Sequence, residues 1–281
     1  MSNIKIVCDS LSDIPKELVD LYDIHIVPLS VLFDDKEYID GVDITKEEFY
    51  KMLRESNNLP KTSQVTYIRF KEAFDKYIEQ GKTVIYIGGS SMTSGTYQSG
   101  VMAKNDIEKN IYTFDSLNLS IGSACMVISA AKMAKEGSSV EEILNHLEKI
   151  KNENSVLFTV DTLEYLQKGG RVSFAKAAIG NMLNIKPILG IEDGGVKSVS
   201  QCRGKKQVIS KIVDTIKEKY GEDLSDKRII MGFGDNKSDF DILVKKVKEE
   251  LKVDEIYTVN IGSCIAAHTG PDVLGIACSN K

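Results

Sequence analysis

Short apolar runs alternate with amphipathic stretches along the first 150 residues. The runs at 4–8, 24–33, 83–88 and 110–114 have the length and the β-branched content of buried strands. Amphipathic stretches with helical periodicity lie between and after them, and two of these begin with a capping box, at Thr45 and at Ser139. Strands that alternate with helices in this way predict an α/β fold in which a mostly parallel sheet is flanked by helices.

The remainder of the chain has a different pattern. The turn sequence Asp193-Gly194-Gly195 separates two β-rich runs and is typical of a β-hairpin. Further strands are predicted at 156–160, 228–233, 255–261 and 273–278. A hairpin combined with helices predicts a mixed α+β domain. A polar run at 151–154 marks the boundary, so we expect an N-terminal domain at 1–153 and a C-terminal domain at 154–281.

Composition limits the classes of function. Of the 281 residues, 42% are hydrophobic, which allows a sizeable core, and the net charge of −5 argues against a nucleic-acid binder. No apolar run approaches the roughly 18–20 residues that span a bilayer, and the N-terminus lacks the features of a signal peptide. The five cysteines are scattered and the three histidines stand apart. We therefore expect reduced thiols, no metal site, no stable membrane insertion and a cytoplasmic location.

Segments rich in hydroxyl side chains follow the predicted strands. Ligands of open parallel sheets bind beyond the carboxyl ends of the strands, which directs attention to the segments after Cys8, Gly88 and Phe114. The segment at 90–98 also precedes a predicted helix, where hydroxyl and backbone N–H groups favour an anion. It lacks the spacing of a P-loop and of a nucleophile elbow. On this segment alone, a capped helix is the better interpretation.

Two further segments carry candidate ligand-binding side chains. Residues 61–64 contribute Thr62 in a loop predicted to connect two helices, and residues 267–271 contribute His268 in a loop bounded by glycine and proline. A protonated imidazole would give a charge-assisted hydrogen bond to an anion. The first segment is interpreted equally well as a cap for the next helix. In the second segment, a histidine whose hydrogen bonds are made to the backbone is an equally good interpretation.

Two arginines and two apolar stretches complete the candidate features. Arg171 follows a pair of glycines and Arg203 follows the predicted hairpin, and either guanidinium is suited to a carboxylate or a phosphate. A surface arginine after a helix end is nevertheless common. Small residues and methionine at 121–133 and 175–188 would suit the walls of a narrow apolar tunnel. From the residues alone, ordinary core packing is the better interpretation of both stretches.

Seven motifs, in order along essentially the whole chain, resemble those of the DegV family. They are CDS at 8–10 with DIP at 13–15, KTSQ at 61–64, TSGTYQ at 93–98, DS at 115–116, TLEYLQKGGR at 162–171, LNIKPIL at 183–189 and HTGP at 268–271. The motif at 162–171 is the most specific, whereas the others are weak when taken singly. Their common order gives the resemblance its strength.

The resemblance implies a two-domain fold that encloses one long-chain fatty acid, such as palmitate, stearate or oleate, with its tail in a tunnel and its carboxylate between the domains. It implies that Thr62, Ser94 and His268 bind the carboxylate, and that Arg171 and Arg203 are nearby cations for a phosphate or for docking a kinase. Family members of this type are the fatty-acid-binding subunit of a bacterial fatty acid kinase. They present the carboxylate to a separate ATP-binding subunit and then hold the acyl phosphate. The chain would then serve lipid transport or fatty acid metabolism, without a cofactor and without being a complete enzyme.

Two other classes of function are open. A stand-alone serine hydrolase or acyl transferase would use Ser94 as nucleophile, His268 as general base and Asp115 as the orienting acid. A small-molecule kinase would need a nucleotide site, but the sequence GFGD at 232–235 lacks the Rossmann spacing. The DegV resemblance favours a lipid-binding protein over both.

Overall fold

The computed structural model describes residues 3–56, 58–107, 110–172 and 185–281, with only the backbone of Lys206. The helix predicted at 174–183 and most of the tunnel stretch at 175–188 lie outside these residues. The elements, in chain order, are β1 (Ile4–Asp9), α1 (Lys16–Tyr22), β2 (His25–Val27), β3 (Ser30–Phe33), β4 (Lys36–Ile39), α2 (Lys46–Glu55), β5 (Lys61–Ser63), α3 (Tyr67–Ile78), β6 (Thr83–Gly88), α4 (Thr96–Ile107), β7 (Ile111–Asp115), α5 (Ser120–Glu136), α6 (Val140–Glu153), β8 (Ser155–Thr159), α7 (Glu164–Lys168), β9 (Ile185–Glu192), β10 (Gly195–Arg203), α8 (Lys205–Tyr220), β11 (Lys227–Phe233), α9 (Lys237–Glu250), β12 (Glu255–Asn260), α10 (Ser263–Thr269) and β13 (Leu274–Asn280).

A four-stranded parallel sheet forms the first layer, with strand order β2-β1-β6-β7. Helices α3, α4 and α5 pack on it. Both predicted capping boxes are present, at Thr45 before α2 and at Ser139 before α6. The predicted α/β arrangement is therefore confirmed. Among the described helices, none combines the length and the apolarity needed to cross a bilayer.

A second sheet, which the sequence did not predict, consists of three antiparallel strands in the order β4-β3-β5. The β-rich run at 24–33 divides between β2 and β3. The division follows Pro28, and the Leu29 backbone N–H donates to the Ser10 hydroxyl at 3.0 Å. Strands of three or four residues carry too few alternations to give a clear periodic signal. The consequence for the site is that Thr62 lies on β5 and not in an interhelical loop.

The third sheet has six strands in the order β10-β9-β8-β13-β11-β12, in which only β11 and β12 are parallel. It contains the predicted hairpin, whose turn residues Asp193 and Gly194 both have positive φ, 50° and 78°. Successive residues of a strand face opposite sides, as Leu157 and Phe158 show. Leu157 packs in the core under α8 and α9, and Phe158 in the core shared with the parallel sheet. Because this shared core crosses the boundary predicted after residue 153, the division into two domains stays a prediction.

A buried arginine ties the six-stranded sheet to helix α5. Arg228 on β11 is 0% exposed and its Nε donates to the Glu255 carboxylate on β12. Its Nη1 donates to the Ser129 hydroxyl at 2.7 Å and to the Cys125 carbonyl at 3.2 Å, both on α5. Nη2 is buried without a hydrogen-bond partner among the described residues, so the guanidinium depends on the pairing of its charge with Glu255.

We predict that Glu255→Gln lowers the free energy of unfolding by about 3 kcal/mol, because it leaves the Arg228 charge buried without its counter-ion. Urea denaturation measures the change. Glu249→Gln is the matched control, since the pair of Glu249 with Lys245 is long at 3.8 Å and exposed on both sides. Equal midpoints for the two variants would contradict the structural role of the buried pair.

Candidate functional site

A cavity of about 1070 Å³, its open mouth included, lies against the six-stranded sheet and reaches the loops of the parallel sheet. Most of its wall is apolar. That wall includes Ile121, Val156, Phe158, Ile191, Val196 and Ile261. Four of the five predicted site residues, Thr62, Ser94, Arg171 and His268, also line it. An apolar cavity with a few convergent polar side chains is the form expected of a small-molecule site.

His268 lies in the last turn of helix α10, so its placement in a loop was wrong. The flanking glycine and proline suggested a loop, but Gly270, with φ 80°, ends a helix that Gly262 begins. The hydroxyl of Thr62 and Nε2 of His268 are hydrogen-bonded at 2.9 Å, which joins β5 to α10. Two predicted residues that are 206 positions apart are thus in direct contact.

The imidazole of His268 is neutral near pH 7. Burial, followed by the positive charge of Arg171, lowers the pKa of His268 to about 4. Without a bound anion, this environment therefore disfavours the protonated imidazole expected from the sequence. Its Nδ1 is fully buried and has no hydrogen-bond partner among the described residues. Gly169 makes this packing possible, since a Cβ there would lie 2.4 Å from Nδ1.

Arg171 supplies the positive charge at this end of the cavity. Its side chain is half-buried, and its Nε and Nη1 donate to the carbonyls of Thr93, at 3.3 Å, and Gly169, at 2.6 Å. Within the described residues, no carboxylate forms an ion pair with it. The two carbonyls hold the guanidinium in place without neutralising it. The arrangement therefore favours an anion in the cavity.

Ser94 lies in the turn that leads into helix α4. Its hydroxyl donates to the hydroxyl of Thr96 at 3.0 Å and accepts from the Thr96 backbone N–H at 3.3 Å. The Thr96 hydroxyl in turn accepts from the Val65 backbone N–H, which connects this turn to the segment after β5. On the other side, the buried Ser90 hydroxyl donates to the Gly194 carbonyl of the hairpin turn at 2.7 Å. The turn is thus fixed between both predicted halves of the chain.

Arg203 is the predicted residue that the structure places elsewhere. It is exposed at the end of β10 and does not line the cavity. Gly204, with φ 85°, separates it from helix α8. An exposed guanidinium at this position suits contact with a partner better than contact with a buried head group.

The serine-hydrolase arrangement is not assembled. His268 Nε2 is bonded to Thr62 and not to Ser94. One carboxylate oxygen of Asp115 accepts from the backbone N–H groups of Ser91, at 3.3 Å, and Leu117, at 3.0 Å, so this acid fixes a turn. The hydrolase interpretation is therefore not favoured by the geometry.

Gly234, one of the glycines considered for a nucleotide site, serves packing. A Cβ at Gly234 would lie 2.0 Å from the Pro271 carbonyl oxygen, and the Gly234 N–H donates to Val273 at 2.8 Å. Gly234 therefore lets this loop approach the segment after α10. Within the described part of the chain, no cluster of histidine, cysteine and carboxylate groups could hold a metal ion.

The sequence missed the role of Asp13. Its position before Pro15 suits a helix cap, as does that of Ser12, but α1 begins after Pro15 without a side-chain cap. The buried Asp13 carboxylate instead accepts from the Ser120 hydroxyl and from the Gly262 N–H, each at 2.6 Å. It therefore fixes the N-terminal ends of α5 and α10, both of which supply cavity residues. No local pattern could have indicated a contact across 249 positions.

Comparisons with known proteins identify the family. A model of the DegV family of uncharacterised proteins matches residues 3–281. A DegV domain-containing protein of Caldanaerobacter subterraneus is 39% identical to this chain over 100% of both. The structure of a fatty-acid-binding DegV family protein from Thermus thermophilus is similar with a TM-score of 0.92 and 31% identity over 100% of both chains. A stearic-acid-binding protein from Eubacterium ventriosum is similar with a TM-score of 0.91 and 31% identity over 99% of this chain and 98% of the other. The chain therefore belongs to the DegV family.

Proposed function

We propose that this protein binds one long-chain fatty acid, with the tail in the apolar cavity and the carboxylate beside Thr62, Ser94 and His268. The observation that carries the proposal is the half-buried Arg171, whose charge no described carboxylate neutralises, at the polar end of an otherwise apolar cavity. A ligand that is anionic at one end and apolar along its length fits this arrangement. The fatty acids bound by the Thermus thermophilus and Eubacterium ventriosum relatives have this chemistry.

The tail supplies most of the binding free energy. Burial of one CH₂ group contributes about 0.8 kcal/mol, so a tail of about 15 methylenes contributes roughly 12 kcal/mol before the costs of ordering. Palmitate, stearate and oleate all fall in this range of length. The head-group contacts then fix the orientation of the acid and exclude ligands without a carboxylate.

The head-group contacts are neutral donors combined with one cation. Ser94 and Thr62 each provide a hydroxyl, and Nε2 of His268 orients the Thr62 hydroxyl through their hydrogen bond. Arg171 provides the compensating charge, since the imidazole is neutral. A carboxylate that is removed from water needs both kinds of partner, because desolvation of an unpaired charge is costly.

We predict that Ser94→Ala weakens fatty-acid binding about 10- to 100-fold, because one hydrogen bond to an ionised group is lost. Isothermal titration with stearate measures the affinity, and thermal unfolding shows that the fold is kept. Ser238→Ala, on the exposed face of α9 away from the cavity, is the control and leaves the affinity unchanged. The proposed function would be contradicted if native protein yields no fatty acid on organic extraction and mass spectrometry and also binds none on titration.

The pKa of His268 predicts how stability depends on pH. Because the folded-state pKa, about 4, is below the ordinary value of 6.5, this group stabilises the fold above pH 6.5, and the contribution is lost as the pH falls towards 4. Without fatty acid, the free energy of unfolding of native protein should therefore fall by up to about 3 kcal/mol more than that of His268→Gln when the pH is lowered from 6.5 to 4. Buried Asp9 and Asp13, each with a pKa raised to about 6, act in the opposite direction but cancel in this difference.

Bound fatty acid should reduce that difference, because a carboxylate beside the ring favours the imidazolium form. Urea denaturation at a series of pH values, with and without palmitate, measures both quantities. Native protein and His268→Gln with parallel pH profiles would show that the ring is exposed to water and not buried in the site.

We further propose that the protein presents the bound carboxylate to a separate kinase subunit. In that reaction a carboxylate oxygen attacks the γ-phosphorus of ATP, ADP leaves, and the acyl phosphate stays on the binding protein. The exposed Arg203 supports this proposal, since it lies outside the cavity and is accessible to a partner. The chain would act in the cytoplasm, where ATP is available, and would supply the substrate but not the nucleotide site.

We predict that Arg203→Ala lowers acyl-phosphate formation at least about tenfold in the presence of a bacterial fatty acid kinase ATP-binding subunit, while palmitate affinity is unchanged. Hydroxylamine trapping of the acyl phosphate measures the product. Lys248→Ala, an exposed charge on α9, is the control. If native protein and the kinase subunit together form no acyl phosphate, the presentation role is contradicted. Fatty-acid binding would still stand in that case.

A further inference from the structure

Two glycines are paired on interior strands of the six-stranded sheet. Gly232 on β11 lies directly opposite Gly275 on β13 in the antiparallel ladder. Both belong to the cavity side of the sheet, because their strand neighbours Met231 and Ile276 pack in the core on the other side. Glycine weakens a strand interior, and it often marks a place where a ligand or another group approaches the backbone closely.

Side chains of the cavity wall lie against these glycines. A Cβ at Gly232 would be 2.5 Å from Cδ1 of Ile261 and 3.1 Å from Cγ2 of Ile121, and both isoleucines line the cavity. Gly275 lines the cavity itself, and a Cβ there would be 2.9 Å from Cβ of Phe158, its cross-strand partner. The missing Cβ atoms therefore let the wall residues lie flat on the sheet.

The direction in which these side chains would move is fixed by the packing. Ile121 and Ile261 are both buried, with the sheet on one side and the cavity on the other. A side chain at position 232 would lift them away from the sheet. Since interiors are close-packed, the displaced methyl groups would enter the cavity, which is the open space beside them.

We propose that the Gly232–Gly275 pair sets the depth of the cavity and thereby the longest acyl tail that the protein accepts. This inference rests on the proposed fatty-acid binding and assigns the selection of tail length to two backbone positions. The head-group residues then decide that an acid binds, and the glycine pair decides how long that acid is.

Gly232→Ala is the first test, because the closest contact of its new methyl group is the flexible end of Ile261. Gly275→Ala is less suitable, since its Cβ would meet Cβ of Phe158 and the Leu157 carbonyl, which cannot rotate away. Competition titration with saturated fatty acids of increasing length measures the affinity profile. We expect the longest acid that native protein accepts to bind at least about tenfold more weakly to Gly232→Ala, and shorter acids to bind equally well.

Gly190→Ala is the matched control. Gly190 is an interior glycine of β9 in the same sheet, but it pairs with Leu157 and belongs to the opposite face. A Cβ there would lie 3.0 Å from the exposed Val199 side chain and 3.1 Å from the Val156 backbone carbonyl oxygen, and it would contact none of the side chains of the cavity wall. The control should keep the native length profile, and a profile shortened like that of Gly232→Ala would overturn the inference.

Ile261→Ala gives a test in the opposite direction that does not depend on the folding of Gly232→Ala. Removal of the side chain over Gly232 should shift the profile towards longer acids, and the double variant Gly232→Ala/Ile261→Ala should return it towards the native one. If Ile261→Ala keeps the native length profile, and Gly232→Ala, where it folds, keeps it too, the inference is overturned. The proposed fatty-acid binding would still stand. Native protein that binds no fatty acid at all would overturn the proposed function and, with it, this inference.

Discussion

The Asp13 carboxylate connects three segments that surround the cavity. It lies in the loop after β1, and it accepts hydrogen bonds from Ser120 at the start of α5 and from the backbone N–H of Gly262 before α10. Burial raises its pKa to about 6, and the positive charge of Lys46 opposes that rise, so the group is mostly ionised at neutral pH. Both hydrogen bonds are then charge-assisted and correspondingly strong. Since α5 begins with the apolar wall and α10 ends with His268, one buried charge aligns both ends of the site.

The polar end of the cavity separates the charge from the hydrogen-bond donors. Arg171 carries the positive charge, and its effect, added to burial, keeps His268 neutral. A second cation in direct contact would attract an anion more strongly, but its own desolvation would cost free energy in the absence of that anion. One cation with neutral donors around it is sufficient for a monovalent carboxylate. This division of roles also explains why the imidazole is able to hydrogen-bond to Thr62 without a carboxylate partner of its own.

The features that sequence reasoning predicted correctly are local ones. The capping boxes at Thr45 and Ser139 and the Asp193-Gly194 turn depend on residues within a few positions of each other, so the sequence alone indicates them. The role of Asp13 and the helix that carries His268 depend on contacts between distant segments. The pKa of His268 also depends on its burial and on the charge of Arg171, which no spacing rule contains. The grouping of Thr62, Ser94, Arg171 and His268 was predicted through the DegV resemblance, and the residues alone left each of them with an ordinary structural explanation.

Three features around the cavity cost stability. Arg171 is half-buried without a described counter-ion, and Nδ1 of His268 is buried without a described partner. The glycine pair Gly232–Gly275 weakens the centre of a sheet whose wall encloses apolar space instead of side chains. A larger side chain such as leucine that filled part of the cavity would remove the cost of the empty apolar space. A neutral residue at position 171 would remove the cost of the unpaired charge. The proposed fatty acid would offset the unpaired charge of Arg171, because its carboxylate would pair with the guanidinium, and its tail would fill the apolar space beside the wall residues that cover the glycines. The coincidence of these costs is the physical argument for a fatty acid over a ligand that is only anionic or only apolar.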